Sequence, residues 1–305
     1  MVSTMATNGH ASPTPSPYFG PPDEATTPYV NATVRYDPVL LSSPENTAAS
    51  FKRPCPFYIL EHQWTRLQVA RWSVLPGGQA KPSDACSTPA NFYHGLLAAV
   101  QHWQKMHADD EQKSRALRIR IRSYVGGRIT TEIMPTLVKP LSTLFPKRFY
   151  LPADGETSPW TIRLDNLPTE ISETTMYKTS DRTWYGRARA AAGIMTLTAT
   201  AEVLLYNTDD NILDGSQATP YFFRNGRWVT PTSASGGQQG TTRRYALEHG
   251  FAIEDDVPKS SIRNGECVWL SNAVQGFFWA TFLSEGVDAD AEAMSKTTAI
   301  ARSLR

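Results

Sequence analysis

Cysteine is scarce in this 305-residue chain: Cys55, Cys86 and Cys267 lie far apart and are odd in number. They offer neither a disulfide framework nor a paired-cysteine metal site, and they fit a reducing compartment. The six histidines show no His-Glu-x-x-His or His-x-His spacing, so no metal is expected. No apolar run approaches the roughly 18 residues of a membrane-crossing helix. The N-terminus also lacks the basic-then-apolar pattern of a secretory leader. Charge of one sign is missing as well: 30 Lys and Arg against 29 Asp and Glu leave +1. That balance calls for neither nucleic acid nor an anionic membrane as partner and leaves a small-molecule substrate. A cytoplasmic location is the default expectation.

With 40% hydrophobic residues the chain can fill two compact domains. Residues 1–28 hold six prolines among Ser, Thr and Gly, too little apolar surface to offset ordering, and read as a disordered leader. "YVNATVRYDPVLL" alternates as a strand running into a turn at Asp37 and Pro38. "CPFYILEHQWTRLQVARWSVL" reads as a strand leading into a helix, with Ile59, Leu60, Trp64, Leu67 and Trp72 at its apolar positions. "NFYHGLLAAVQHWQKM" fits an amphipathic helix. In "ALRIRIRSYVGG" Leu117, Ile119 and Ile121 fall on one face of a strand, Arg118, Arg120 and Arg122 on the other, and Gly126-Gly127 supplies a hairpin turn.

The Pro-rich stretch 139–159 reads as a connection between a small domain over 29–138 and a larger one over 160–305. In the second half "AEVLLYN", "NILDGSQ", "TPYFFRNGRWVTP" and "ECVWLSNA" read as short strands, with helices near 181–193, 241–250 and 287–303. Mixed strands and helices in both halves make the expected class α+β or α/β.

"TTMYKTSDRTWYGRARA" puts Lys178 at the head of an apparent helix, with Arg182 and Tyr185 following. The ordinary reading is a solvated first turn. An amine lowered in pKa by burial or a nearby cation can instead form a Schiff base with an aldehyde. Asp214 stands 214−178=36 positions on, where a strand meets a turn, and alone would be a turn residue. "SASGGQQGTTRR" is a glycine-rich turn opening a helix at Thr241 and Thr242, which is either a simple cap or a phosphate seat. It lacks the Gly-Lys-Ser/Thr ending of an ATP or GTP loop. Ser271 and Asn272 follow a buried-looking strand and serve either a turn or an anion.

The order of these segments resembles the fold-type IV pyridoxal phosphate enzymes, the class IV aminotransferase family, and the resemblance runs from about Val30 to Ala280. "ATVRYD" is similar to a strand whose threonine assists proton transfer in lyase members, here Thr33. "LEHQWTRLQVA" resembles the helix whose arginine binds the cofactor phosphate, here Arg66. "YKTSDRTWY" carries the Schiff-base lysine and its arginine, Lys178 and Arg182. "ILDGSQATPYFF" matches the strand bearing the acid against the pyridine nitrogen, while "GQQGTTRR" and "LSNAVQG" match the phosphate loops with Thr241, Thr242, Ser271 and Asn272.

The resemblance implies a D-amino acid aminotransferase-like fold of a small α/β domain and a larger β-rich one, pyridoxal 5'-phosphate as cofactor, and a homodimer. Fungal-type members imply a carbon–oxygen lyase that takes a proton from C4 of 4-amino-4-deoxychorismate and releases pyruvate and 4-aminobenzoate, a folate precursor. A transaminase on the same fold is the alternative. Such a substrate carries two carboxylates, and Arg120 and Arg122 are candidates to receive them. Two departures stand out: Asp214 occupies the place of the family's glutamate, one methylene shorter, and Thr219-Pro220 replaces its asparagine five positions on.

Overall fold

The computed structural model describes residues 28–75, 86–107, 115–196 and 199–284. The expected leader and the helix near 287–303 fall outside them, save for Pro28. Two sheets organise the chain. The smaller is antiparallel in the order β1 (Tyr29–Tyr36), β2 (Leu117–Tyr124), β3 (Ile129–Pro135). Its register sets Val34 opposite Ile119 and Ala32 opposite Ile121 on one face, Thr33 opposite Arg120 and Asn31 opposite Arg122 on the other. That is the alternation expected of a strand with period two. The apolar face is covered by two helices, α2 (Leu60–Val74) and α3 (Pro89–Met106), around Leu60, Leu67, Leu96 and Val100. Thr88 caps α3 by accepting from the Asn91 amide, and Pro89 occupies the first helical position, where its missing N–H costs nothing.

The strand expected over Cys55–Ile59 does not form; only Phe57 bridges to Tyr36. The reason lies in the short preceding helix α1 (Pro44–Ala48). Its Asn46 amide donates to the carbonyls of Cys55 and Phe57, and its oxygen accepts from the Ile59 amide at 2.8 Å. Those backbone groups are therefore taken by a side chain instead of a neighbouring strand. Ile59 turns at φ +43°, and Ser50 accepts from the Leu60 amide, which satisfies the entrance of α2. Trp72, read as an apolar-face residue, is 70% exposed on the last turns of that helix. Asp37 does end β1, accepting from the Val39 amide at the start of a single-turn 3-10 helix.

The larger sheet has eight strands in the order β6-β5-β4-β11-β10-β7-β8-β9: β4 (Thr161–Leu164), β5 (Ala201–Tyr206), β6 (Ile212–Gly215), β7 (Thr219–Arg224), β8 (Arg227–Pro231), β9 (Ile253–Asp255), β10 (Cys267–Asn272) and β11 (Gly276–Phe282). Pairing is mixed; β4 runs parallel to both β5 and β11, and most other neighbours are antiparallel. Phe149, Tyr221, Tyr245, Trp269 and Phe277 cluster on one side, Val229, Phe222, Val268 and Ile162 on another. The chain between the sheets forms only α4 (Leu141–Leu144) and contributes Leu144, Phe145 and Phe149 to the aromatic cluster. Helices α5 (Glu173–Met176), α6 (Thr183–Ala191) and α7 (Thr241–Glu248) complete the fold. The last two are the helices read near 181–193 and 241–250, each shorter by a few residues. Among the described residues no helix is long and apolar enough to cross a membrane, and no group of His, Cys, Asp and Glu could hold a metal.

Candidate active site

Lys178 is not in the first turn of a helix. It sits in the extended link between α5 and α6, where Thr179 bridges to Val30 and the Lys178 carbonyl accepts from the Asn31 amide at 2.7 Å. The Asn31 side chain adds a bond to the Thr179 carbonyl at 3.0 Å. The link is thus stitched to the outer edge of β1, and the Lys178 side chain reaches the sheet's polar face. There the Lys178 Nζ donates to the Thr33 Oγ1 at 3.1 Å. Lys178 keeps some access to solvent but is densely enclosed. Burial, then Arg66, Arg182, Arg118 and Arg120, pushes its pKa well below that of an ordinary lysine. A neutral amine with a free electron pair is what Schiff-base formation needs.

Asp214 lies in β6 and is buried. Burial raises its pKa to about 7; the Gly215 amide and Arg182 act against that rise, and the neighbouring Glu202 carboxylate adds to it. Among the described residues no basic side chain comes within ion-pair distance, so this carboxylate is left ready for a cationic partner of another kind. The turn over Gly236–Gln238 presses against it so closely that a Cβ on Gly237 would collide with the Leu213 carbonyl. Only glycine fits there. A small polar cavity beside Asp214 is lined by Thr219, Thr230, Gln238, Gln239 and Arg243.

Arg182 stacks over the Tyr185 ring at 3.7 Å and donates from Nη2 to the Ser216 carbonyl at 3.0 Å, while its Nη1 is buried without a partner. Arg66 reaches in from α2. Its pKa falls to about 10 through burial and Arg182, with Asp214 opposing, and its Nη2 is likewise buried and unpartnered. One turn earlier on α2, Gln63 donates to the Thr241 Oγ1 at 3.0 Å and so ties that helix to the start of α7. Thr242 accepts from the Ser271 hydroxyl at 2.8 Å, and Ser271 in turn meets the Tyr221 hydroxyl at 2.8 Å. Hydroxyls of Thr241, Thr242 and Ser271 thus lie at the N-terminus of α7, tied to α2 and β10. Asn272 is occupied differently: its Oδ1 accepts from the amides of Val274 and Gln275 and shapes the loop to Gly276.

The three arginines of β2 divide. Arg122 is bound to Glu132 at 2.8 Å and lies against the Tyr29 ring, on the far side of Asn31 from Lys178. Arg120 pairs across the ladder with Thr33 and touches Glu132 only at 3.9 Å. Arg118 was not singled out from the sequence, although it shares their alternation. Among the described residues it makes no side-chain hydrogen bond or ion pair, burial and Arg120 lower its pKa, and with Arg120 it is one of the cations acting on Lys178. Glu202 was also missed; nothing in its local sequence separates it from ordinary strand residues.

A buried lysine, a buried carboxylate without a cation, two orphaned guanidinium donors and a helix N-terminus with hydroxyls together match an aldehyde-bearing pyridine with a phosphate tail. Fold and donor set suit a protein of the pyridoxal phosphate type. The chain belongs to the amino-transferase class IV family, whose match spans residues 101–281, and pyridoxal 5'-phosphate is its cofactor. Aminodeoxychorismate lyase of Saccharomyces cerevisiae is 30% identical over 252 residues, covering 72% of this chain and 66% of that protein. A Schizosaccharomyces pombe protein provisionally given the same name is 30% identical over 167 residues, 53% of this chain and 65% of its own length. The chain therefore spans just under two thirds of each of these relatives. Among solved structures, 4-amino-4-deoxychorismate lyase from Pseudomonas aeruginosa superposes with a TM-score of 0.54 at 14% identity, over 84% of this chain and 83% of that one. A hypothetical aminotransferase from Mycobacterium tuberculosis with α-ketoglutarate and PMP bound gives 0.55 at 14% identity, over 88% and 86%. At such identities the two structures speak for the fold.

Proposed function

We propose that the chain is a pyridoxal phosphate-dependent lyase that converts 4-amino-4-deoxychorismate to 4-aminobenzoate and pyruvate. The observation that carries this reading is the 3.1 Å contact between Lys178 and Thr33, a base and a hydroxyl side by side on the face that also bears Arg118 and Arg120. The two fungal relatives support it by name.

In this reading Arg66, Thr241, Thr242, Ser271 and the loop shaped by Asn272 hold the phosphate, and Asp214 keeps the ring nitrogen protonated. The bound cofactor supplies an electron sink for the carbon that carries the substrate amine. Lys178 would hold the cofactor, and its amine would take the C4 proton. Its depressed pKa favours the unprotonated amine that a base must be. Thr33 passes a proton toward the ether oxygen as the neighbouring C–O bond breaks, so that pyruvate leaves and the ring becomes aromatic. Arg120 and Arg118 receive the two carboxylates; Arg122, tied to Glu132, is set aside from that role.

The same reading places the catalytic groups between a small domain over 29–138 and a cofactor domain over 160–305 joined by 139–159. It also implies a homodimer in the cytoplasm feeding 4-aminobenzoate into folate synthesis, which sedimentation and imaging of the tagged chain would check. The decisive assay adds 4-amino-4-deoxychorismate to the cofactor-loaded protein without any keto acid. A lyase releases pyruvate over many turnovers; a transaminase stalls after one.

A further inference from the structure

One buried carboxylate is left unused by this chemistry. Glu202, near the start of β5, is 3% exposed and has no basic group at ion-pair distance among the described residues. An isolated buried charge is costly unless hydrogen bonds satisfy it. Here they do. Its Oε1 accepts from the amides of Val203 at 2.9 Å and Ser216 at 3.0 Å and from the Ser216 hydroxyl, and its Oε2 from the Gln217 amide at 2.9 Å.

Most of these donors belong to the turn that directly follows Asp214. The same turn offers the Ser216 carbonyl to Arg182 at 3.0 Å, and the Ser216 hydroxyl accepts from Arg189 at 3.1 Å. Displacing the turn would move Asp214 at its start and Arg182 on its carbonyl together. We propose that Glu202 is a positioning residue, clamping the 215–217 turn so that the short Asp214 side chain and Arg182 stay within reach of the cofactor ring. The proposal rests on the reading of Asp214 as partner of the ring nitrogen.

Glu202→Gln keeps one acceptor oxygen and the side-chain volume, but sets an NH2 group against a backbone N–H. It also removes a negative charge beside Asp214. The groups acting on Asp214 or acted on by it are Arg66 on α2, Arg182 and Tyr185 at α6, Glu202 on β5 and Tyr221 on β7. Glu202 is the like charge that helps hold a proton on Asp214. Its loss alone would let Asp214 ionise at lower pH and would tighten cofactor binding on the acid side. Loosening the turn instead weakens binding at every pH.

Binding of pyridoxal phosphate to the apo-protein, titrated by tryptophan fluorescence from pH 6 to 9, separates the two effects. In E202Q we expect about tenfold weaker binding at pH 8, a midpoint of its pH dependence moved downward, and a melting temperature within a few degrees of wild type. Ser216→Ala, which removes only the hydroxyl bond, should weaken binding about threefold and serves alone if E202Q does not fold. Unchanged or tighter binding in a folded E202Q, or unchanged binding in S216A, overturns the clamp. Asp214→Asn in the same titration distinguishes the two failures: wild-type affinity there overturns the reading of Asp214 itself.

Discussion

The polar face of the small sheet, which carries the contact between Thr33 and Lys178, and the end of the large sheet are built on different principles. The small sheet presents Asn31 and Thr33, which are buried, beside Arg118 and Arg120, which strand alternation leaves partly open to solvent. The large sheet presents Asp214, Thr242 and Ser271, all buried and held by turns and a hydroxyl chain. In the proposed reading, the groups that would hold the cofactor are fixed deep in the fold, and the arginines that would meet the substrate sit on a half-exposed strand face. The arrangement explains why shared cofactor chemistry can serve both lyases and transaminases on this fold.

Substitutions should divide along the same line. Lys178→Ala removes both attachment point and base and should lower kcat by roughly 10⁴-fold or more. Arg66→Gln should raise the cofactor Kd by about 10- to 100-fold, read by fluorescence titration, since it deletes a charge-assisted fork to phosphate. Thr33→Ala should cut kcat about 10- to 100-fold with cofactor affinity unchanged, which separates proton handling from binding. Arg118→Gln should raise KM about tenfold, while Arg122→Gln should change it by less than about threefold. Equal effects of the last two would break the division of the β2 arginines.

Asp214 gives a smaller effect with a sign of its own. Its pKa in the folded apo-protein is raised to about 7 from the ordinary 3.8, so the folded state binds the extra proton. Apo-protein stability should therefore fall as pH rises from about 4 to 7 and stay low above that. Asp214→Asn should flatten this profile and raise the apo melting temperature by a few degrees at pH 8, while abolishing the pH dependence of cofactor binding. Below about pH 7 the wild-type apo-protein should bind cofactor more weakly, because the protonated acid cannot pair with a ring cation.

Strand alternation made the small sheet legible: the LRIRIR pattern gives β2, its buried face and its arginines directly. It could not say which arginine is engaged, because Glu132 reaches Arg122 from the next strand, ten residues away. Lys178, Thr33 and Arg66 were singled out from ordered segments, yet the contact between Lys178 and Thr33 joins residues 145 apart and is visible only in the fold. The Cys55–Ile59 strand was misread for a similar reason. Its apolar pattern suits a strand, but Asn46 takes its carbonyls. Glu202 carried no signal at all, since its worth comes from the amides of a turn fourteen residues on. Pattern reports which face is buried, whereas long-range hydrogen bonds decide what a buried polar group does.

The assignment of Lys178 as the cofactor-bearing amine is the claim on which the rest depends. Borohydride reduction of the cofactor-loaded protein, followed by peptide mass spectrometry, tests it without any substrate. The account predicts a pyridoxyl group on the peptide containing Lys178 alone. A label on another lysine, such as Lys139, whose pKa is also lowered by burial and by Arg35, would contradict it.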